Sequence, residues 1–134
     1  MQRLRTRVVG ITAAGHHVFV MSSSARATVM CGHCIIFITG RRESERAMTM
    51  NWLMDGTCAP RAWFYEFCKS RGVPRLYMRK NGDRRPSELT KRENLQRAHQ
   101  DGYDLKLVFE DRASDTTMWR MEGLICCQVA DGHF

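Results

Sequence analysis

The sequence predicts an α/β fold, a parallel sheet with helices on both faces. Strand-like and helix-like segments alternate from about residue 17 to residue 130, which is the pattern of a parallel sheet joined by helices. Residues 35–39 are all β-branched or aromatic and the first four are apolar, as expected of a strand that is covered on both faces. With 134 residues, 43% of them hydrophobic, residues 1–134 are expected to form a single domain with one core.

The first forty residues are predicted to contain one helix and two strands. Residues 3–15 have the spacing of a short helix that Gly15 ends. Residues 17–21 are predicted to form a short buried strand. The strand at residues 35–39 follows, and Gly40 is expected to let the chain turn sharply after it.

The rest of the chain is predicted to continue the alternation of helices and strands. A turn is expected at Asn81-Gly82-Asp83, and Ser87 is the expected N-cap residue of the helix that follows it. The predicted helices are residues 44–54, 61–70, 88–99 and a segment around Met118. The predicted strands are residues 76–78, 105–109 and 125–129.

Charge and composition indicate the class of partner. Lysine and arginine total 21 against 14 acidic residues, so the formal net charge is +7. This excess is consistent with a polyanionic partner such as nucleic acid, although many proteins that act on neutral substrates are also basic. No apolar run approaches the ~20 residues of a membrane span, so no membrane partner is expected. The basic start of the chain makes a poor signal peptide, and the six cysteines are therefore expected to be reduced thiols in a cytoplasmic protein.

Two segments suggest phosphate binding. Thr39-Gly40-Arg41 follows a predicted buried strand, where a hydroxyl, backbone N–H groups and a guanidinium could hold a phosphate. The alternative is an ordinary turn with a solvated arginine. Lys91 lies near the start of a predicted helix and could offset the charges of a phosphate, a carboxylate and a metal site. The alternative for Lys91 is a surface lysine.

Glu110 and Asp111 end the predicted strand at residues 105–109. Side chains at the carboxyl end of a parallel strand are where open α/β sheets place their chemistry. Mg²⁺ accepts one or two carboxylates together with waters and phosphate oxygens. The alternative is that the two acids cap the next helix, whose first turn favours negative charge.

Cysteine spacing gives a weaker hypothesis. Cys31-Gly32-His33-Cys34 has the spacing of a redox dithiol, but a strand rather than a helix is predicted directly after Cys34. A low thiol pKa depends on a helix N-terminus, so a dithiol or metal protein using Cys31 and Cys34 ranks as the lower alternative. Cys126 and Cys127 are predicted to be small core residues.

Several motifs occur in one order along the chain. They are Thr39-Gly40-Arg41, residues 76–86, Lys91, Phe109-Glu110-Asp111-Arg112, Met118-Trp119-Arg120, Gly123-Leu124 and Gln128-Val129-Ala130. This combination resembles the phosphatase domain of phage-type polynucleotide kinase-phosphatases, a domain of the haloacid dehalogenase (HAD) superfamily. The resemblance covers about residues 32–134, and the spacing of its last thirty residues is the specific part.

The resemblance implies a HAD-like fold and the removal of a 3′ phosphate from a nucleic-acid end with Mg²⁺. The mechanism it implies uses an aspartate nucleophile, which forms a phosphoaspartate, and a second aspartate as acid and base. By position, the catalytic residues would be Thr39, Arg41 and Lys91, the substrate-binding residues Arg79 and Arg84, and the metal ligands Glu110 and Asp111.

The nucleophile motif of the family is absent from its expected place before Thr39. The first 42 residues contain no Asp or Glu. If residues 17–21 are the first strand, Ser22 and Ser24 occupy the places of the two aspartates, and a serine lacks the carboxylate. We therefore expect the N-terminal part to be truncated or degenerate and the chain, as it stands, to be impaired or inactive. A kinase domain would be separate or missing.

Further differences leave alternatives open. Ser87 replaces the acid that the family has four residues before Lys91, and Glu110 stands in place of an aspartate. Residues 55–70 look like an insertion rich in aromatic residues, either a cap that stacks on bases or an amphipathic helix packed into the core. The functional alternative to the phosphatase is a catalytically silent module that binds nucleic-acid ends or phosphate.

Overall fold

The structure, a computed structural model, describes residues 7–11, 34–54 and 75–132. Its five strands are β1 Arg7–Ile11, β2 Cys34–Arg42, β3 Arg75–Arg79, β4 Asp104–Arg112 and β5 Ile125–Gly132. Its helices are a single 3₁₀ turn at Glu43–Glu45, α1 Arg46–Met54, α2 Ser87–Gln100 and α3 Ala113–Met121.

All five strands form one parallel sheet in the order β3-β2-β1-β4-β5. β1 is the central strand, and Val9 pairs with Ile35 on one side and with Leu107 on the other. The chain moves outward from β1 to β3 and then crosses to β4 through α2. The predicted α/β class with a parallel sheet is therefore confirmed.

The helices α2 and α3 pack against each other and against β2 to β5, so they cover the same face of the sheet. The step from β2 to β3 runs in the opposite direction across the sheet, and the right-handed rule for parallel strands puts α1 on the other face. The buried core includes Ile36, Ile38, Leu105, Val108 and Trp119.

The prediction of a helix at residues 3–15 is wrong, because Arg7–Ile11 is a strand. Its β-branched residues Val8, Val9 and Ile11 suit the centre of a sheet, and pairing on both sides outweighs the helical spacing. The predicted strand at residues 17–21 and the predicted helix at residues 61–70 lie outside the described residues.

The strand predicted at residues 35–39 is confirmed but is longer than expected. β2 continues through Gly40 to Arg42, and Gly40 is not among the described glycines with positive φ. The expected sharp turn at Gly40 is therefore wrong. By contrast, the turn at Asn81-Gly82-Asp83 is confirmed, and Gly82 has a φ of 80°, a conformation that glycine adopts without strain.

Two finer predictions need correction. Ser87 is the first residue of α2 and Pro86 is its N-cap, so the Ser87 side chain does not cap the helix. Cys126 is buried in the core as predicted, but its neighbour Cys127 is exposed. Successive strand residues face opposite sides of a sheet, which explains the difference.

None of the helices within the described ranges is long and apolar enough to cross a membrane.

Candidate active site

The carboxyl ends of parallel strands meet at one edge of the sheet, and most of the predicted site residues lie there. β2 ends at Arg42, β3 at Arg79 and β4 at Arg112. The connection after β3 returns to the same edge, where α2 begins at Ser87. The topology alone therefore brings Thr39, Lys91 and the acids of β4 to one edge.

Lys91 lies in a buried cluster with two carboxylates. Its Nζ donates to Glu110 Oε2 at 2.8 Å and to Asp115 Oδ2 at 2.6 Å. The Lys91 side chain is 7% exposed, and both acid side chains are 0% exposed. The reading of Lys91 as a solvated surface lysine is therefore wrong, because α2 directs its side chain inward against α3 and β4.

Glu110 is held from several directions. The indole N–H of Trp119 donates to Glu110 Oε2 at 3.1 Å, the same oxygen that contacts Lys91. The other oxygen, Oε1, accepts the backbone N–H groups of Asp111 at 3.1 Å and Arg112 at 3.3 Å. Both oxygens therefore already have protein donors, which fixes the orientation of the carboxylate.

Asp115 is a site residue that the sequence reasoning missed. It lies in the first turn of α3, and its Oδ2 accepts hydrogen bonds from both Ser87 Oγ, at 2.9 Å, and Lys91. Its Oδ1 is buried and has no hydrogen-bond partner in the described part of the chain. An acid in the first turn of the helix after Glu110-Asp111 was the available sequence signal.

The end of β2 abuts the start of α2. A Cβ atom added to Gly40 would lie 3.5 Å from Ser87 Oγ and 3.7 Å from Arg79 Nη2, so these side chains already line the Gly40 backbone. Ser87 in turn bonds to the acid that contacts Lys91. Thr39-Gly40-Arg41 and the Lys91 cluster are thus neighbours at one edge of the sheet.

Thr39 and Arg41 both keep groups that could bind phosphate. Thr39 Oγ1 accepts the backbone N–H of Arg41 at 3.2 Å, so its own hydroxyl hydrogen remains to donate elsewhere. Arg41 is exposed. Its guanidinium has no acidic partner within the ranges that the structure describes.

Arg79 joins three segments of this edge. Its Nε donates to the Gly40 carbonyl at 2.9 Å, and its Nη1 donates to the carbonyls of Asp83 at 3.3 Å and Arg85 at 2.6 Å. This half-buried guanidinium holds the end of β2 against the loop that leads into α2. Arg84 in the same loop is exposed.

Arg85 is engaged in a surface network rather than directed at the site. Its guanidinium contacts Asp83 Oδ2 at 2.7 Å and Glu93 Oε1 at 2.6 Å. These hydrogen bonds hold the pKa of both Asp83 and Glu93 below its ordinary value. The network ties Arg85 to two acids, and no such ion pair is observed for the neighbouring Arg84 within the described residues.

The described residues include only one cysteine of the predicted Cys31–Cys34 dithiol. Cys34 is the first residue of β2, and Cys31 lies outside the described residues. Burial raises the pKa of Cys126 to about 11, so this thiol stays neutral and unreactive near neutral pH. The Cys31–Cys34 dithiol stays a hypothesis.

The donor set at the end of β4 suits a divalent cation. Two carboxylates, Glu110 and Asp115, contact the Lys91 ammonium, and Asp111 is a third buried acid beside Glu110 in the chain. The described residues contain no group of three candidate ligands close enough to hold a metal by themselves. Mg²⁺ needs only one or two carboxylates beside waters and phosphate oxygens, so Glu110 and Asp111, both buried at the end of β4, remain the candidate ligands.

Comparison with known proteins agrees with this geometry. A family model described as "Polynucleotide kinase PNKP phosphatase domain" matches residues 8–134. The match begins within β1, the central strand, and includes every element of the sheet that follows.

Two solved structures have a similar fold. They are titled "Structure of the Pnkp1/Rnl/Hen1 RNA repair complex" and "Structure of Pnkp1/Rnl/Hen1 complex", and each superposes with a TM-score of 0.70 at 20% sequence identity. The alignments cover 96% of this chain but only 44% and 47% of those chains, so this chain spans less than half the length of its structural neighbours. At this identity the likeness supports the fold, and it is the family model that supports the assignment. This chain therefore belongs to the family of polynucleotide kinase PNKP phosphatase domains, a HAD-type fold.

Proposed function

We propose that this domain recognises the 3′-phosphorylated end of a polynucleotide with Mg²⁺, and that hydrolysis of that phosphate is impaired in the chain as given. The supporting observation is the meeting of Thr39-Gly40-Arg41 with the buried Lys91 cluster at one edge of the sheet. One side of that edge offers hydrogen-bond donors for a phosphate, and the other side offers carboxylates suited to a cation.

Thr39 and Arg41 take the phosphate contacts in this proposal. The Thr39 hydroxyl donates its hydrogen to one phosphate oxygen, while its oxygen accepts the backbone N–H of Arg41. The exposed Arg41 guanidinium contacts two oxygens, as its fork permits. Arg84 contributes positive charge for the adjoining polynucleotide backbone, whereas Arg79 maintains the shape of the site because its observed hydrogen bonds go to backbone carbonyls.

Lys91 acts as the counter-charge of the acids. Its ammonium reaches Glu110 and Asp115, and it lowers the repulsion between these acids and an incoming phosphate. Asp111 would hold Mg²⁺. Glu110 Oε1 accepts the backbone N–H of Asp111 and so helps to orient that residue. A bound Mg²⁺ would neutralise charge on the phosphate.

The impaired step is nucleophilic attack. The family's nucleophile motif belongs on the first strand, and we take β1 as that strand because it is central in the sheet and precedes β2. In the sequence, the first and third residues after Ile11 are Thr12 and Ala14, followed by Gly15. We therefore place the missing aspartates at residues 12 and 14 instead of Ser22 and Ser24. Neither residue has a carboxylate to attack phosphorus or to serve as acid and base.

Binding tests the recognition half of the proposal. Fluorescent oligonucleotides ending in 3′-phosphate or 3′-hydroxyl, in RNA and DNA versions, are titrated with the protein in Mg²⁺ at several salt concentrations. We expect at least about tenfold tighter binding of the phosphate end, because charge-assisted contacts are each worth about 1.5–3 kcal/mol. Arg41→Gln should remove most of this preference and reduce the salt slope by about one.

Arg85→Gln is the matched control. It removes the same charge from the same basic edge, but the Arg85 guanidinium is already engaged by Asp83 and Glu93, so the preference for the phosphate end should survive. Equal affinity for the two ends in the wild-type protein would contradict the proposed recognition.

A further inference from the structure

We propose that Asp115 is a positioning residue that aims the Lys91 ammonium at the phosphate, and that Ser87 fixes Asp115 for this task. The expected effect on binding of a 3′-phosphorylated end rests on the proposed function. Its structural part, the coupling of Asp115 to Lys91, is testable on its own.

The buried Lys91 ammonium is hydrogen-bonded to two anionic partners. Lys91 is 7% exposed and Asp115 is fully buried, and a buried charge is tolerated only when it is paired and hydrogen-bonded. Glu110 alone would balance the charge of Lys91, but its oxygens also serve Trp119 and two backbone N–H groups. Asp115 makes the shorter contact to Nζ, at 2.6 Å.

Two acceptors fix the direction of the remaining donor. An ammonium has three N–H groups, and within the described residues two of those on Lys91 point to Glu110 and Asp115. With one acceptor the ammonium could rotate about that bond, whereas two acceptors on different elements hold it in place. The third N–H of Lys91 therefore has a fixed direction, and in this proposal it points to the bound phosphate.

Ser87 makes Asp115 a fixed acceptor. Its hydroxyl donates at 2.9 Å to the same Oδ2 that accepts from Lys91. Ser87 and Lys91 are four residues apart on α2, so their side chains lie on the same face. A carboxylate at position 87 would therefore reach the ammonium from its own helix and replace the one that α3 supplies.

This exchange provides the experiment. The full chain is compared with Asp115→Ser, Ser87→Asp and the double variant Ser87→Asp/Asp115→Ser, and Glu122→Gln serves as the control because its pair with Arg92 is partly exposed. The ratio of affinities for 3′-phosphate and 3′-hydroxyl oligonucleotides is measured together with Tm. Asp115→Ser should reduce the ratio at least tenfold and lower Tm by about 10 °C. The double variant should restore the ratio to within about threefold of wild type.

Each outcome decides the inference. A folded Asp115→Ser protein that keeps the wild-type ratio overturns it, and so does a double variant that recovers Tm without recovering the ratio. If Asp115→Ser does not fold, the isosteric Asp115→Asn takes its place with the same expectation.

A wild-type protein with no preference for the phosphate end would overturn the proposed function and the aiming role. The coupling would still be measured by Tm in Lys91→Met, Asp115→Asn and their double variant. Non-additive shifts would support the contact, and additive shifts would overturn it.

Discussion

Two ion-pair networks lie within one stretch of this molecule and differ mainly in their access to water. In the buried one, Lys91 is 7% exposed and joins Glu110 and Asp115 at 2.8 and 2.6 Å. In the surface one, Arg85 is 47% exposed and joins Asp83 and Glu93 at 2.7 and 2.6 Å. The charges and distances are nearly the same, one cation between two carboxylates.

The comparison shows that contact geometry does not determine energetic weight. At the surface, water solvates each ion almost as well as its partner does, so such pairs contribute little. In the interior, the loss of hydration is severe, and removal of one partner leaves a charge uncompensated. The buried network is therefore the one that can hold a site rigid, whereas the surface network shapes a loop.

The largest effect is expected for Lys91→Met, which leaves Glu110 and Asp115 buried without their cation. The free energy of unfolding should fall by about 3–5 kcal/mol, as measured by urea denaturation. Lys106→Met is the control, because Lys106 is 61% exposed and pairs with Asp104 at the surface. A loss for Lys91→Met as small as that for the control would contradict the contrast between the networks.

An intermediate effect is expected for Trp119→Phe. The change removes the indole N–H that reaches Glu110 Oε2 at 3.1 Å but keeps an aromatic ring in the core. A hydrogen bond to a charged acceptor contributes about 1.5–3 kcal/mol, so the free energy of unfolding, measured by urea denaturation, should fall by about that amount. Tyr103→Phe provides the comparison, since its hydroxyl accepts an exposed hydrogen bond from Arg75 and its loss should matter much less.

The smallest effect is expected for Arg85→Gln, whose Tm near neutral pH should lie within error of wild type. Because Arg85 lowers the pKa of Asp83 and Glu93, any contribution is present above the ordinary carboxyl pKa of about 4. It is lost as pH falls through the depressed folded values. The Tm curves of the two proteins should therefore converge on acidification; a gap that widens toward low pH would show that the pairing does not act in this way.

The sequence predicted well the parts of the fold that depend on local apolar runs. Residues 35–39, 76–78, 105–109 and 125–129 all lie in observed strands, since continuous apolar segments are typical of parallel strands buried on both faces. The central strand was missed because Arg7–Ile11 is short and contains Gly10. Its strand state depends on pairing with β2 and β4, which local patterns do not reveal.

The candidate site likewise contains residues that local sequence indicates and residues that depend on long-range packing. Lys91, Glu110 and Asp111 were proposed from their order along the chain and their positions relative to predicted elements, and the structure brings Lys91 into contact with Glu110. Asp115 was not, because its contact with Lys91 joins residues 24 positions apart and depends on the packing of α3 on α2. Arg79 was predicted to contact substrate, and its observed hydrogen bonds to backbone carbonyls give it a structural role that spacing alone could not indicate.

The central claim is that this chain keeps the cluster of Lys91 and its acids but lacks the aspartate nucleophile. Phosphate release from a 3′-phosphorylated oligonucleotide in Mg²⁺ tests this claim most directly. The wild-type chain should release none above background, and Thr12→Asp/Ala14→Asp should gain release that Asp111→Asn abolishes. Release by the wild-type chain itself, lost in Asp111→Asn, would contradict the account.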